Sequence, residues 1–265
     1  MCFSGAKTAS CHIKDQELNR RRFDVVVIIH NQQKTSATTG TTSPFFTMNF
    51  NFCSTLLREM LFLSWGRPSS QEQKACIAKS GGVFNYNSKY RGATAKSASS
   101  LKEDQKLSKD GFLLNHARFL VGSGLDTYEK GVTALKTWRH FGLNWAFVDP
   151  KTPVQSGANF CVCVKEFLPW VMMPLQVVYV NESKRPKKAV ASFGFGSGTL
   201  QGHLLAGEER FSIELDKNNQ VWYEILSLSK PAHFLSFIGY PYVQFRQKYF
   251  AHQSVNAVKK HLTAS

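Results

Sequence analysis

No run of apolar residues in this chain is long enough to cross a bilayer as a helix. The longest, 168–180, holds 13 residues and is broken by Pro169 and Pro174, where a helical span needs about 20. A membrane β-barrel is untouched by that argument, because its strands are short and alternate. Cysteine is scarce: Cys2, Cys11, Cys53, Cys76, Cys161 and Cys163 include no CxxC pair, so neither a zinc site nor a disulfide framework is readable. The eight histidines form no HxH or HExxH, and no metal or other cofactor is expected. There is no GxSxG elbow and no P-loop. Gly194, Gly196, Gly198 and Gly202 read GxGxGxxxG, which is not the dinucleotide fingerprint; in strand text such glycines mark bends or bulges. Nothing in these patterns asks for a reaction, and an enzyme is not expected.

Acidic residues are also few. The chain has 18 Asp plus Glu against 33 Lys plus Arg, a net charge of +15. Such a field favours anionic partners. The cations are spread along the sequence, however, and the one dense run, 184–188, reads as a solvated hairpin tip. No specific nucleic-acid partner is expected.

At 265 residues with 43% hydrophobic content and 21 Phe, the chain can bury one substantial core. Residues 1–59 differ from the rest. They hold Ser/Thr/Asn/Gln-rich text without a sustained period, so they read as a low-complexity, disordered extension. A transit peptide is the other reading, opposed by Asp15, Glu17 and Asp24. Residues 60–265 read as a single domain.

Within it, 69–79 is a short helix started by Ser69 and stopped at Gly81-Gly82. Residues 84–100 are polar, with aromatic anchors Phe84, Tyr86 and Tyr90. Residues 112–121 are a strand or a short buried helix. Residues 126–141 are a helix with Tyr128, Val132, Leu135 and Trp138 on one stripe. Strands follow at 145–148, 160–167 and 176–180, the last two separated by the proline-bent LPWVMMP. Cys161 and Cys163 share one face of their strand, as core residues or free thiols.

The most informative stretch is 193–230. A glycine-punctuated strand (190–203) leads into two alternating strands, 210–215 and 221–228, around a turn at 216–220. The first puts Phe211, Ile213 and Leu215 on one face. The second is apolar on both faces, as for a strand that lines an interior and also meets something outside. A long amphipathic helix, 233–262, comes next, to be kinked or split at Gly239-Tyr240-Pro241. A meander closed by a C-terminal helix predicts an α+β fold: a curved antiparallel sheet gripped by that helix, helix-grip-like, with an apolar cavity beneath it. Candidate cavity residues are Phe193, Phe195, His203, Phe211, Ile213, Trp222, Glu224, Tyr242 and Phe245. Membrane lipid or a small apolar molecule is the partner this shape suggests; the oligomeric state is not legible.

The pieces FLSWGRPSS, FNYNSKYRGAT, DGFLLNHARFLVGSG, YEKGVTALKTWRHFGLNWAFVDP, CVKEFLPWVMMPLQVVYV and SFGFGSGTLQGHLLAGEERFSIELD resemble a plant family built on a domain of unknown function shared with bacteria, over residues 60–265. Plant members of that family are described as a small plastid outer-envelope protein with cation-selective pore behaviour. The resemblance therefore implies a plastid outer-envelope location and ion conduction, with cations as the permeating partner. It supplies no catalytic or binding residues, and residues 1–59 depart from it. Two readings stand: the pore, from the resemblance, and a soluble or membrane-peripheral binding module, cytoplasmic in location, from the pattern.

Overall fold

The computed structural model describes residues 61–185 and 190–263. The expected extension 1–59 and most of the basic run 184–188 lie outside the described residues.

Among the described residues, eight strands make one antiparallel sheet. They are β1 (Phe62–Ser64), β2 (Leu113–Ser123), β3 (Ala146–Phe147), β4 (Asn159–Lys165), β5 (Trp170–Arg185), β6 (Val190–Thr199), β7 (Leu205–Leu215) and β8 (Gln220–Pro231). The order is β2-β8-β7-β6-β5-β4-β3, with β1 paired to β5. The sheet curls into a half-barrel whose end strands do not pair with each other. Residues 112–121, ambiguous in sequence, are strand: from Leu113 the chain pairs with β8 along its length.

The two prolines of LPWVMMP do not separate two strands as expected. Pro169 lies in the β4–β5 turn, and β5 runs unbroken through Pro174, opposite Cys161. The Pro174 carbonyl accepts from Leu200 N–H on the β6 side (3.1 Å), so the N–H it lacks would face that side too. There β1 has ended at Met172 and β6 begins only at Leu175. Proline is tolerated because no strand residue pairs with it on the side its nitrogen faces.

Two helices cover the concave face. These are α4 (Leu125–Lys136) and α6 (Tyr240–Thr263), the latter preceded by a short α5 (Phe234–Ile238). The split at Gly239 is the one expected from 239–241. Pro241 is the second residue of α6, where a missing N–H costs nothing. The core beneath joins Tyr128, Leu135, Trp138 and Phe141 to Phe160, Phe193, Phe195, Phe211, Ile213, Tyr223, Val255 and Val258. Each such ring or branched side chain contributes about 1.5–3 kcal/mol on burial.

Helix α4 stops five residues short of the expected 141. Trp138 takes a left-handed φ of 57°, a strain of about 1 kcal/mol. In return its indole is buried against Phe160 (4.7 Å) and Phe195 (5.2 Å), and its Nε1–H donates to Thr152 O (2.9 Å).

The convex face is covered as well. Helix α1 (Ser70–Lys79) starts on a capping box between Ser69 and Glu72. It packs Cys76 against Cys161, Cys163, Trp170 and Met172, and all three cysteines are free thiols. Residues 84–112, with α2 (Ala98–Glu103) and α3 (Gln105–Lys109), bury Tyr86, Tyr90, Leu101, Leu107 and Phe112 on Ala206, Leu226 and Leu228. That is the outside contact foreseen for the two-faced strand 221–228. The glycines of β6 are sites of close approach, and a bulge expected there is present on β5, where the register slips between Val177 and Tyr179 opposite Ser197 and Gly196. A Cβ on Gly196 would lie 2.3 Å from the Tyr179 ring, and one on Gly198 would lie 2.3 Å from Tyr86 Oη.

Candidate functional site

Strand register divides the concave face into transverse rows. One row is Phe193–Ile213–Tyr223–Phe119 and the next is Phe195–Phe211–Ile225–Ala117. All of these but Ala117 belong to the filled core or pack against it. The row after them is Ser197–Glu209–Ser227–Asn115, and it is polar throughout. The same face is therefore apolar and packed at one end, polar at the other.

Above the polar row lies the N-terminal half of α6. It is fastened at both flanks of the sheet. On one side Asn115 Nδ2 donates to Gln247 Oε1 (2.9 Å), and Gln247 Nε2 donates to Ser229 Oγ (3.2 Å). On the other, Tyr242 O–H donates to Glu166 Oε2 (2.5 Å) and Arg246 Nε to Glu166 Oε1 (3.0 Å). Phe167, at the tip of the β4–β5 hairpin, stacks on Tyr242 with centroids 5.9 Å apart. The helix spans the curl like a bar. Inward-facing Val164, Met173, Ala117, Glu209, Val243 and Gln247 are only half-buried at this end. Two turns on, Ser254, Val255 and Val258 are fully enclosed, with Tyr223 Oη 2.7 Å from Ser254 Oγ. Side chains between sheet and helix are less enclosed at the first end than at the second.

Glu209 is the chemically distinctive group of the open end. Its carboxylate makes no hydrogen bond or ion pair with any described residue. Burial alone pushes its pKa up to about 7 from the ordinary 4.5, as expected for a carboxylate removed from water without compensation. Around the mouth, large apolar side chains stand in solvent: Phe234 (70% exposed), Phe237 (73%), Ile238 (63%), Phe245 (62%), Phe167 (77%) and Leu168 (75%). A group of this kind is the usual signature of an interaction surface.

The opposite face shows what this chain does when a carboxylate is structural. Glu208 accepts from Tyr86 O–H (2.7 Å), Gly92 N–H (2.6 Å), Thr94 N–H (3.2 Å) and Thr94 O–H (3.1 Å). Arg210 donates to Thr94 O and Lys96 O and pairs with Glu224 (2.7 Å). A cleft of about 500 Å³ also lies on this side, bounded by Phe84, Tyr86, Tyr90, Phe112, Asp110 and Lys230. Its polar groups are already engaged: Asp110 pairs with Lys89 and accepts from Tyr90, and Lys230 donates to the Asp110 backbone carbonyl. The cleft under α6 is the better candidate because it holds a group with an unmet need.

The residues singled out from sequence fall into four places. Phe193, Phe195, Phe211 and Ile213 share the concave face but are 0–1% exposed; they fill the core behind the cleft. Trp222 and Glu224 are corrected: they oppose Glu214 and Ser212 in the ladder and point to the convex face. There Trp222 Nε1–H donates to Asp216, and Glu224 pairs with Arg210 and His116. His203 sits in the β6–β7 turn, where its Nδ1 accepts from Leu205 N–H (2.9 Å); burial lowers its pKa to about 4. Tyr242 and Phe245 are 41% and 62% exposed, on the rim rather than inside. Ser197, Glu209, Ser227 and Gln247 were missed. The signal was present, since carrying the alternation Leu215, Ile213, Phe211 two residues back reaches Glu209.

Fold and cleft together define an α+β domain in which a long C-terminal helix grips a curled antiparallel sheet. The chain belongs to the DUF1990/UPF0548 family: the profile described as domain of unknown function (DUF1990) matches residues 94–257. A UPF0548 protein of Arabidopsis thaliana is 66% identical over 206 residues, covering 78% of this chain and 100% of the relative. A UPF0548 protein of Dictyostelium discoideum is 30% identical over 185 residues, 67% of this chain and 84% of the relative. Among solved structures, Ara h 8.0201 aligns over 58% of this chain and 100% of its own at 8% identity, TM-score 0.39. Major latex-like protein 151 from Panax ginseng aligns over 58% and 99% at 12% identity, TM-score 0.33.

The expected cation-selective pore of the plastid outer envelope is overturned by this fold. A barrel that spans a membrane closes on itself and turns an apolar band to lipid. Here the sheet is open, and its outward face carries Arg118–Glu214 (2.9 Å), Arg210–Glu224 and His116–Glu224. The inward face is plugged at one end by packed aromatics. No described helix is long and apolar enough to cross a membrane. The family match brings a domain of unknown function and no plastid location with it.

Proposed function

We propose that this protein binds a small, largely apolar molecule in the cleft between the polar row of the concave face and the N-terminal half of α6. The observation that carries the reading is the contrast along α6. Where its Val255 and Val258 turn to the core, side chains fill the interface; where it crosses the polar row, Glu209, Asn115 and Gln247 are half-buried over the buried Ser197 and Ser227, and exposed aromatics ring the mouth. An apolar body would cover Phe237, Phe245 and Leu168 and gain the energy of removing them from water. The reading is of binding without catalysis. It is supported by the enclosure of two kinds of reactive group: His140, lodged among Trp138, Phe141 and Phe211 and lowered by burial to about pKa 3, and the three buried thiols.

The test is native mass spectrometry of the full chain after incubation with a total lipid extract. One retained molecule of small-molecule mass per chain, reduced by Phe245→Ser paired with Phe167→Ser, is expected. A chain that emerges at its bare mass from every extract fraction contradicts the reading.

A further inference from the structure

The binding reading leaves the chemistry of the ligand open, and the polar row narrows it. Ser197, Glu209 and Ser227 are consecutive across β6, β7 and β8. They lie at the deep side of the cleft, next to the apolar row Phe195–Phe211–Ile225. The neighbouring Asn115 and Ser229 are engaged by Gln247. The Glu209 carboxylate and the Ser227 hydroxyl make no hydrogen bond with a described residue. A molecule filling the cleft would complete the burial of the half-buried Glu209 and must supply it with a hydrogen bond, because an unpaired buried carboxylate is costly.

Resting on the binding reading, we propose that the ligand is a neutral, mostly apolar molecule carrying a hydroxyl group that hydrogen-bonds Glu209, with Ser227 beside it. A hydroxyl suits the site for two reasons. It can donate to Glu209 when the carboxylate is ionised and accept from it when protonated, and a pKa near 7 means both forms are present at neutral pH. A cationic amine would also meet a carboxylate, but it must approach a chain of net charge +15 and lose its hydration in an aromatic mouth. The row of apolar rings behind the carboxylate demands an apolar body, so a sugar or other polyol does not fit.

Calorimetric titration of the full chain with 1-decanol, decyl methyl ether and decylamine tests this. At pH 9, where the ionised carboxylate has no proton to give an ether oxygen, decanol is expected to bind about tenfold tighter than the ether, the size of one hydrogen bond to a charged group. Glu209→Leu should erase that ratio while keeping affinity for the ether, and Glu209→Gln, which keeps an acceptor, should retain part of it. Equal binding of decanol and the ether to the native chain overturns the hydroxyl inference and leaves the apolar cleft standing. Tighter binding of decylamine overturns it too. Absence of binding by all three contradicts the binding reading itself. Should Glu209→Leu fail to fold, the native-chain ratios and Glu209→Gln still decide the matter.

Discussion

On β7, Glu208 points to the convex face and accepts four hydrogen bonds, while Glu209 points to the concave face and receives none from a described residue. The two differ by one step along the strand, and a strand puts successive side chains on opposite sides. On the convex side the carboxylate organises its surroundings, because Gly92, Thr94 and Tyr86 all turn donors to it. The Tyr86 phenol is in consequence held far above its usual pKa, by burial and then by the Glu208 charge. On the concave side the carboxylate sits half-buried beside Phe211 with its own pKa raised, a feature that costs stability and is expected where function overrides packing.

The largest expected effect comes from breaking the satisfied partner. Glu208→Leu strands two backbone N–H groups, a threonine hydroxyl and a buried phenol, and should lower stability by about 3–5 kcal/mol. At about 2–4 °C per kcal/mol for a domain of this size, the thermal midpoint should drop well beyond 5 °C. A smaller loss would mean that water replaces the carboxylate. Next is Gly196→Ala, which drives a methyl into the Tyr179 ring and strains its contact with Thr94 Oγ1 (2.9 Å); about 1–3 kcal/mol should be lost.

Glu209→Leu should go the other way. Removing an unmatched carboxylate beside Phe211 is expected to raise stability by about 1 kcal/mol or more at pH 8. The sign follows from linkage. Glu209 has a folded pKa above its ordinary value of 4.5, so its contribution is fully present below pH 4.5 and is lost as pH rises toward 7. Denaturant unfolding of the native chain should carry this decline, and the leucine variant should lack it. A destabilised leucine variant would show that the carboxylate has a structural partner. The smallest effect is expected at the rim, where Phe245→Ser should change stability by less than about 0.5 kcal/mol while reducing ligand retention.

Much of this fold was legible because its determinants are local. The alternation of Phe211, Ile213 and Leu215 named the concave face, Ser69 and Glu72 named a helix start, and Gly239-Tyr240-Pro241 named the break before α6. What was not legible depended on neighbours remote in sequence. Pro174 continues a strand only because β1 ends and β6 begins beside it. Trp138 leaves the helix because Phe160 and Phe195 receive its ring. Trp222 and Glu224 were placed inside by face and position, although they alternate with Tyr223 and Ile225, which pair with the inward Ile213 and Phe211. The resemblance named the family correctly, a domain of unknown function shared with bacteria, but the pore it implied pointed away from the fold, whereas the pattern of strands and helix pointed to it.

Hydrogen–deuterium exchange of the full chain with and without a total lipid extract tests the central claim most directly. Occupancy of the concave cleft should slow exchange in α5 and in the first half of α6, through about residue 250, and leave the convex segment 84–112 unchanged. Protection confined to 84–112, or none in α5 and α6 despite a bound molecule seen by mass, would contradict the assignment of the binding site to the face that carries Glu209.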